Sequence, residues 1–430
     1  MIRIVSLIIV IATLSINTYA QFYSSIDVSY AHDSNIFGNY AKVPDNYLSV
    51  DLFLENDIDW DYSSLTTSYD GSLSSFNAFP EQDSWTHNLN FKYRTQLSRV
   101  AKELSDNEDS AATQSISNNI PADSLETFLT ISGFIERTVP HAGDFEVYQN
   151  YLAGGAANLR IPLGNYFAIR MNYIINYTNF DFVSSLTNLE NKGSLYASLN
   201  PSASISLFAF TSYGNKKFYG VDSVSSNIKK LIRMHGLGVY NGKGKGHRSG
   251  NNQGQVSSQT KTYILDSPDV NQLTYGGGVQ LSSDLMSGSI EASYRRDISG
   301  AARYVNAVAE FIAQKSSIYD DPYSYEGPEL KLVARREKLF DGLTINFGVN
   351  YAYKLYERPA FDYTQTRELA EQRKDKYLKM SIGISEKFDR FILNGVTFSL
   401  SYDIIRNSSN DEYYNFTDNI LTASFETELF

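Results

Sequence analysis

Ile345-Asn-Phe-Gly-Val-Asn-Tyr-Ala-Tyr-Lys-Leu355 decides how this chain folds. Large apolar side chains stand at 345, 347, 349, 351, 353 and 355, with small or polar ones between them. Successive side chains of a β-strand point to opposite faces, so a period of two makes one apolar and one polar face. Val396, Phe398, Leu400, Tyr402 and Ile404 repeat the pattern, separated by Thr397, Ser399, Ser401 and Asp403. A soluble sandwich would cover the apolar face with a second sheet. A transmembrane barrel turns that face to lipid and lines a lumen with the other.

Composition and the N-terminus favour the barrel. Arg3, the apolar run Ile4 to Leu14 and Thr18-Tyr19-Ala20 read as a cleavable secretory signal over residues 1–20. The run is too short to cross a bilayer as a helix, which takes about 20 apolar residues. The rest of the chain, 21–430, reads as one barrel domain with no other apolar stretch of that length. There are 32 Tyr and 25 Phe but only 10 Pro. The mean hydropathy is negative, as expected when only alternate residues are apolar. No cysteine is present, which excludes disulfides, thiolate metal sites and a lipid-modified N-terminal cysteine. With 37 basic and 48 acidic residues the net charge is −11, unfavourable for nucleic acid as a partner.

The pattern gives sixteen strands, at 22–31, 46–58, 62–75, 84–98, 123–137, 145–160, 166–179, 192–200, 203–214, 271–282, 287–298, 327–337, 343–356, 375–387, 396–407 and 418–430. Fourteen or eighteen strands are the alternatives. The fold class expected is therefore all-β, a transmembrane antiparallel up-and-down barrel. Short links such as Pro162-Leu163-Gly164-Asn165, Asp341-Gly342 and Asn394-Gly395 carry turn formers. They alternate with longer links, as the two ends of such a barrel require. The acidic stretch 99–122 breaks this alternation and reads as a flexible insertion. Strand pattern begins at Phe22, which leaves no room for a plug domain before the barrel.

Faces sort consistently. Phe22, Ile26, Val28 and Tyr30 share one face of the first strand; Trp85, Leu89, Phe91, Tyr93 and Leu97 share one face of the fourth. Phe167, Ile169, Met171, Tyr173, Ile175 and Tyr177 do so in the seventh. These are expected on the lipid side. Lys92, Arg94, Arg170, Lys354, Lys379 and Asp403 fall on the opposite face and are the lumen candidates.

Tyr-Ala-His-Asp-Ser-Asn-Ile-Phe at 30–37, Asp-Ile-Ser-Gly-Ala-Ala-Arg-Tyr at 297–304, Tyr-Ser-Tyr-Glu-Gly-Pro-Glu at 323–329 and Arg-Asn-Ser-Ser-Asn-Asp-Glu-Tyr-Tyr at 406–414 carry a resemblance. Through them the chain resembles a porin-like family of outer-membrane β-barrel proteins of Gram-negative bacteria, over most of its length. The resemblance implies the outer membrane and a barrel, and no specific activity. One departure concerns the C-terminus: Leu421, Ala423, Phe425, Thr427 and Leu429 are in phase, and the terminal Phe430 is not.

Residues 215–270 form the longest link. Lys216, Lys217, Lys229, Lys230, Arg233, Lys243, Lys245, Arg248 and Lys261 stand against Asp222, Asp266 and Asp269, a local +6 (nine minus three). Such a loop is expected either to solvate freely, to fold into the pore as a constriction, or to meet anionic glycan or lipopolysaccharide. Four carboxylates lie at Asp320, Asp321, Glu326 and Glu329, but their spacing matches no calcium loop, so no metal is expected. None of the five histidines sits in a nucleophile motif, and neither an enzyme nor a cofactor is expected. The function read from the sequence is a passive channel for small hydrophilic solutes. The alternative is a non-conducting barrel that binds a surface partner through loop 215–270. Expected partners are outer-membrane lipid, lipopolysaccharide and the barrel-assembly machinery.

Overall fold

The computed structural model describes residues 20–36, 38, 42–99, 126–140, 149–181, 187–219, 269–299, 322–337, 339, 342–361, 368–388 and 395–429. The leader expected at 1–20, apart from Ala20, and the insertion expected at 99–122, apart from Arg99, lie outside these residues. Sixteen strands follow one another: β1 Ala20–Asp33, β2 Asp45–Trp60, β3 Ser63–Phe76, β4 Ser84–Arg99, β5 Glu126–Pro140, β6 Asn150–Pro162, β7 Phe167–Phe180 and β8 Asn188–Ser202. The second half comprises β9 Ile205–Phe218, β10 Val270–Ser282, β11 Met286–Ser299, β12 Gly327–Arg336, β13 Thr344–Phe361, β14 Glu368–Phe388, β15 Val396–Ser409 and β16 Phe416–Glu428. Each strand pairs with its sequence neighbours, and β1 pairs with β16 to close the ring. The count of sixteen, rather than fourteen or eighteen, is the one found.

Closure answers a physical demand. Lipid offers no partner to a backbone N–H or C=O, so a spanning sheet has no tolerable edge. The β1–β16 seam runs from Ser25↔Glu428 to Asp33↔Ile420, and the Leu429 N–H donates to the Ser24 carbonyl at 2.8 Å just beyond it.

The registers carry one face around the whole ring. Ile169, Ala197, Ala209, Gly277, Ala292, Leu330, Tyr351 and Leu378 are successive partners from β7 to β14. Val28, Val50, Leu73 and Trp85 continue that face across β1 to β4. Its large side chains are open: Ile290, Ile382 and Tyr173 each expose about half of their surface (53%, 52% and 51%). A ring of this kind is a lipid-facing belt, because an apolar surface so extensive would not persist in water. At the end where the longer loops emerge, tyrosine hydroxyls on the belt donate to asparagines one strand away. Tyr173 reaches Asn191 at 2.9 Å, Tyr213 reaches Asn271 at 2.8 Å and Tyr402 reaches Asn419 at 3.1 Å. Such pairs suit the interface, where the ring sits in lipid and its hydroxyl meets polar groups.

Nine to eleven tilted residues cross a bilayer, but β13 has 18 and β14 has 21. Their surplus stands at the loop end, where it builds a buried polar core. Arg373 Nε donates to both carboxylate oxygens of Asp375 at 3.0 and 3.1 Å, and its guanidinium stacks on Tyr414 (3.4 Å) and Tyr356 (4.2 Å). Asn407 Nδ2 closes the group onto Asp375 (3.1 Å) and the Tyr414 carbonyl (2.7 Å).

Two consequences are measurable. Leu195→Arg, at mid-strand on the belt, is expected to cost about 2–4 kcal/mol in denaturant titrations of the barrel in liposomes. Asn172→Arg, at the same depth on the inner face, should leave the midpoint unchanged. Removing Arg373 leaves Asp375 buried and uncompensated, so Arg373→Ala should cost about 3–5 kcal/mol, read as an earlier loss of the compact band on unheated gels.

Candidate functional site in the barrel lumen

The face opposite the belt is the lumen wall, and its charge is divided by sector. The strands β16, β1, β2 and β3 contain no Lys or Arg at all. Their inner face carries Asp27, Asp51, Glu55, Asp57, Asp70 and Glu426. Asp27 is the direct cross-strand partner of both Asp51 and Glu426. Directly opposed like charges destabilise a sheet, so this row of three carboxylates is held against a local cost.

The sector from β8 to β14 is mixed and holds most of the inner basic side chains. Lys192, Lys216, Arg295, Lys331, Lys354 and Lys379 alternate there with Glu190, Glu291, Glu329 and Asp375. Ion pairs run from β14 towards the acidic sector, Lys379 with Asp403 of the intervening β15 at 2.9 Å and Lys387 with Glu428 of β16 at 2.9 Å.

A short segment folds inward against the mixed sector. It is the 3-10 turn Pro322–Ser324 with the residues that follow it. The Tyr323 hydroxyl donates to Glu190 of β8 at 3.0 Å. Gln272 of β10 donates to the carbonyls of Pro322 (2.7 Å) and Tyr325 (3.1 Å), and Arg295 of β11 donates to the Tyr325 hydroxyl. Glu326 pairs with Leu355 of β13. One turn is thus tied to four strands, with Tyr323 and Tyr325 both 5% exposed. Tyr323 lies where a side chain on Gly214 would otherwise be, so this glycine makes room for the turn. Beneath it is a cavity of about 210 Å³, walled by β8 to β12.

Of the residues singled out from the sequence, those among the described residues can be placed. Lys92, Arg94, Arg170, Lys354, Lys379 and Asp403 stand on the inner face. Lys92 is in line with Thr66 and Asp57, and Arg94 stacks over Phe128 at 3.9 Å. Lys354 lies over Tyr325 and Tyr377 at 4.8 and 4.6 Å. The two lysines at the start of loop 215–270 diverge. Lys216 points inward, is 5% exposed and lies 5.7 Å from the Tyr323 ring. Lys217 points outward beside Tyr219. Lys229, Lys230, Arg233, Lys243, Lys245 and Arg248 lie outside the described residues, as do Asp320 and Asp321. Glu329 accepts from Arg295 at 2.7 Å and Lys331 at 3.2 Å. Among the described residues no group of three or more His, Asp or Glu gathers around a metal-sized space. His87 lies on the belt between Tyr69, whose hydroxyl is 2.8 Å from Nδ1, and Trp85.

Sequence reasoning missed the lumen aromatics. Phe53, Phe128, Phe134, Tyr196, Phe208 and Phe210 all stand on the inner face. In Ile205-Ser-Leu-Phe-Ala-Phe210 both faces are apolar, so period two alone cannot sort them. The signal available was the facing glycines of β10: a Cβ at Gly278 would fall 2.7 Å from the Phe208 ring, and one at Gly276 2.9 Å from the Phe210 ring.

No family model matches the sequence, and no curated protein matches it. Solved structures with a similar course include OpdK from Pseudomonas aeruginosa, described as an outer membrane protein, at 7% identity and TM-score 0.39, covering 95% of this chain and 99% of that one. Pseudomonas aeruginosa OpdL is 10% identical with TM-score 0.44, covering 95% and 98%. Acinetobacter baumannii OccAB3 is 8% identical with TM-score 0.42, covering 95% and 99%. The barrel itself rests on the closed strand order described above.

The opposed carboxylates give a direct check on the acidic sector. Asp27→Asn removes two like-charge pairs, so at neutral pH and low salt the barrel should gain about 0.2–1 kcal/mol for each pair relieved. The gain should shrink in high salt, as denaturant midpoints at the two ionic strengths would show.

Proposed function

We propose that this chain is an outer-membrane channel that passes small hydrophilic solutes by diffusion, with its longer loops outside the cell. The observation that carries the reading is a closed sixteen-strand ring with a continuous apolar belt and a charged inner face. Barrels of 16–18 strands leave an aqueous channel, and a charged inner wall is stable only against water. The short turns and both termini share one end, the arrangement expected when that end faces the periplasm.

Two features give the channel its character. The acidic sector β16–β3 favours cations along one side. The turn at 322–326 narrows the other side. Lys217, outward-facing beside Tyr219, is placed to meet lipopolysaccharide phosphate.

The test is single-channel recording of the refolded full chain in a planar bilayer. Stepwise conductance is expected. Asp27→Asn with Asp51→Asn should move the reversal potential in a salt gradient towards the anion value. Gln272→Ala, which frees the Pro322 and Tyr325 carbonyls, should raise the unit conductance. Silence from folded protein overturns the channel reading and leaves the barrel a surface-binding or structural one.

A further inference from the structure

The surplus length of β14 carries basic side chains above the lipid-facing belt. A span of about nine to eleven residues begun at Phe388 ends between Met380 and Leu378. The next two outward side chains are Lys376 and Lys374. On β15, Arg406 is the direct partner of Leu378 and shares its face. Belt residues in phase with them, Ile382 on β14 and Tyr402 on β15, fix that face as the outer one. All three bases are exposed. Same-face neighbours along a strand lie about 7 Å apart, and diagonal neighbours on adjacent strands about 7–8 Å. Lys374, Lys376 and Arg406 therefore form one cluster at the outer edge of the belt.

The cluster has little local compensation. Lys374 meets Glu371 at 3.6 Å, but that carboxylate is 71% exposed and the pair is worth little. Glu357 of β13 lies beyond Leu355, the partner of Lys374, and so farther from the belt. Among the described residues Lys376 and Arg406 enter no ion pair. Their cross-strand partners, Tyr353 and Ser408 for Lys376 and Leu378 and Thr417 for Arg406, are uncharged. The other outward bases near the loop end, Arg137, Lys217 and Arg296, stand singly on β5, β9 and β11. The residues that alternate with the cluster, Arg373, Asp375 and Asn407, point into the buried polar core. That core fixes the backbone beneath the three bases, so a ligand meets a preorganised surface.

Grouped cations just above hydrocarbon complement a lipid whose headgroup carries phosphate. We infer that this patch on β13 to β15 is a docking site for a phosphorylated glycolipid of the outer leaflet, the lipid A portion of lipopolysaccharide. Three cations exceed what the single charge of a phosphodiester can neutralise. A head with two phosphate monoesters, each about −1.5 to −2 at neutral pH, matches them. One phosphate meets Arg406, whose planar fork fits phosphate oxygens, together with Lys376; the other meets Lys374. The long stem of Arg406 lets its charge rise from the belt edge to the phosphate level. Ser408 is placed to bond a sugar hydroxyl, and the acyl chains lie on the belt below. The site rests on the reading that the loop end faces outward, and is independent of conduction.

The probe is diphosphoryl lipid A, added to the folded full chain in detergent and read as bound lipid by native mass spectrometry. Monophosphoryl lipid A and phosphatidylglycerol serve as comparators. The probe is expected to be retained about tenfold more tightly than either, the order of one charge-assisted contact. Lys376→Gln combined with Arg406→Gln should erase that preference. Arg296→Gln, which removes an outward base on another strand, should keep it. These side chains are exposed, so the compact band on unheated gels should persist in each variant. Equal retention of the three lipids, a preference for phosphatidylglycerol, an unchanged preference in the double variant, or its loss in Arg296→Gln would overturn the inference. Bound lipid is read without current: retention with silent bilayer recordings would defeat only the channel reading, and conductance steps without retention only the lipid site.

Discussion

Backbone hydrogen bonding in a medium that offers none is the constraint on which this structure depends. A strand in lipid must find a partner on each side, and sixteen strands do so only when the first meets the last. Once the ring is closed, the period of two has a fixed meaning everywhere. One set of side chains meets hydrocarbon and the other meets water. The registers keep this sorting through every pair, because a slip of one residue would exchange all the side chains of a strand.

Within that frame the inner wall is differentiated by sector. Four neighbouring strands carry acids and no bases, whereas the strands from β8 to β14 carry both signs, aromatic rings and an inward-folded turn. The turn is possible because Gly214 leaves room for Tyr323, and the flat rings because Gly276 and Gly278 leave room for Phe210 and Phe208. Small residues in one strand therefore set the shape presented by its neighbours. In the acidic sector Tyr23 and Phe53, with ring centres 5.9 Å apart, stand among shorter polar side chains.

Much of the fold was legible in the sequence, because alternation along a strand is a local property. The segments around Ile345–Leu355 and Val396–Ile404 announce their strands without any knowledge of partners. The lumen site was legible only in part. Charged residues such as Lys92 and Asp403 reveal their face by being intolerable in lipid. Phe208 and Phe210 do not, since an aromatic ring is at home on either side. Their assignment depends on glycines in β10, more than sixty residues later in the sequence. The inward turn was hidden for a related reason. Tyr323 and Tyr325 sit in a stretch that reads as a polar loop, and its docking depends on Glu190, Gln272 and Arg295 from three different strands.

The row formed by Glu426, Asp27 and Asp51 has a further consequence. Among the described residues, the strands that carry it, β16, β1 and β2, hold no Lys or Arg, so much of its neutralisation falls to the solution. Mobile counter-ions are therefore a standing component of the lumen on that side, held within about one Debye length, ~8–10 Å at ordinary salt. The water inside the barrel is thus unequal across its width even at rest. One margin is an ionic atmosphere enriched in cations, and the other a fixed lattice of paired charges. What fills the barrel then depends on the salt outside it as well as on the residues that line it.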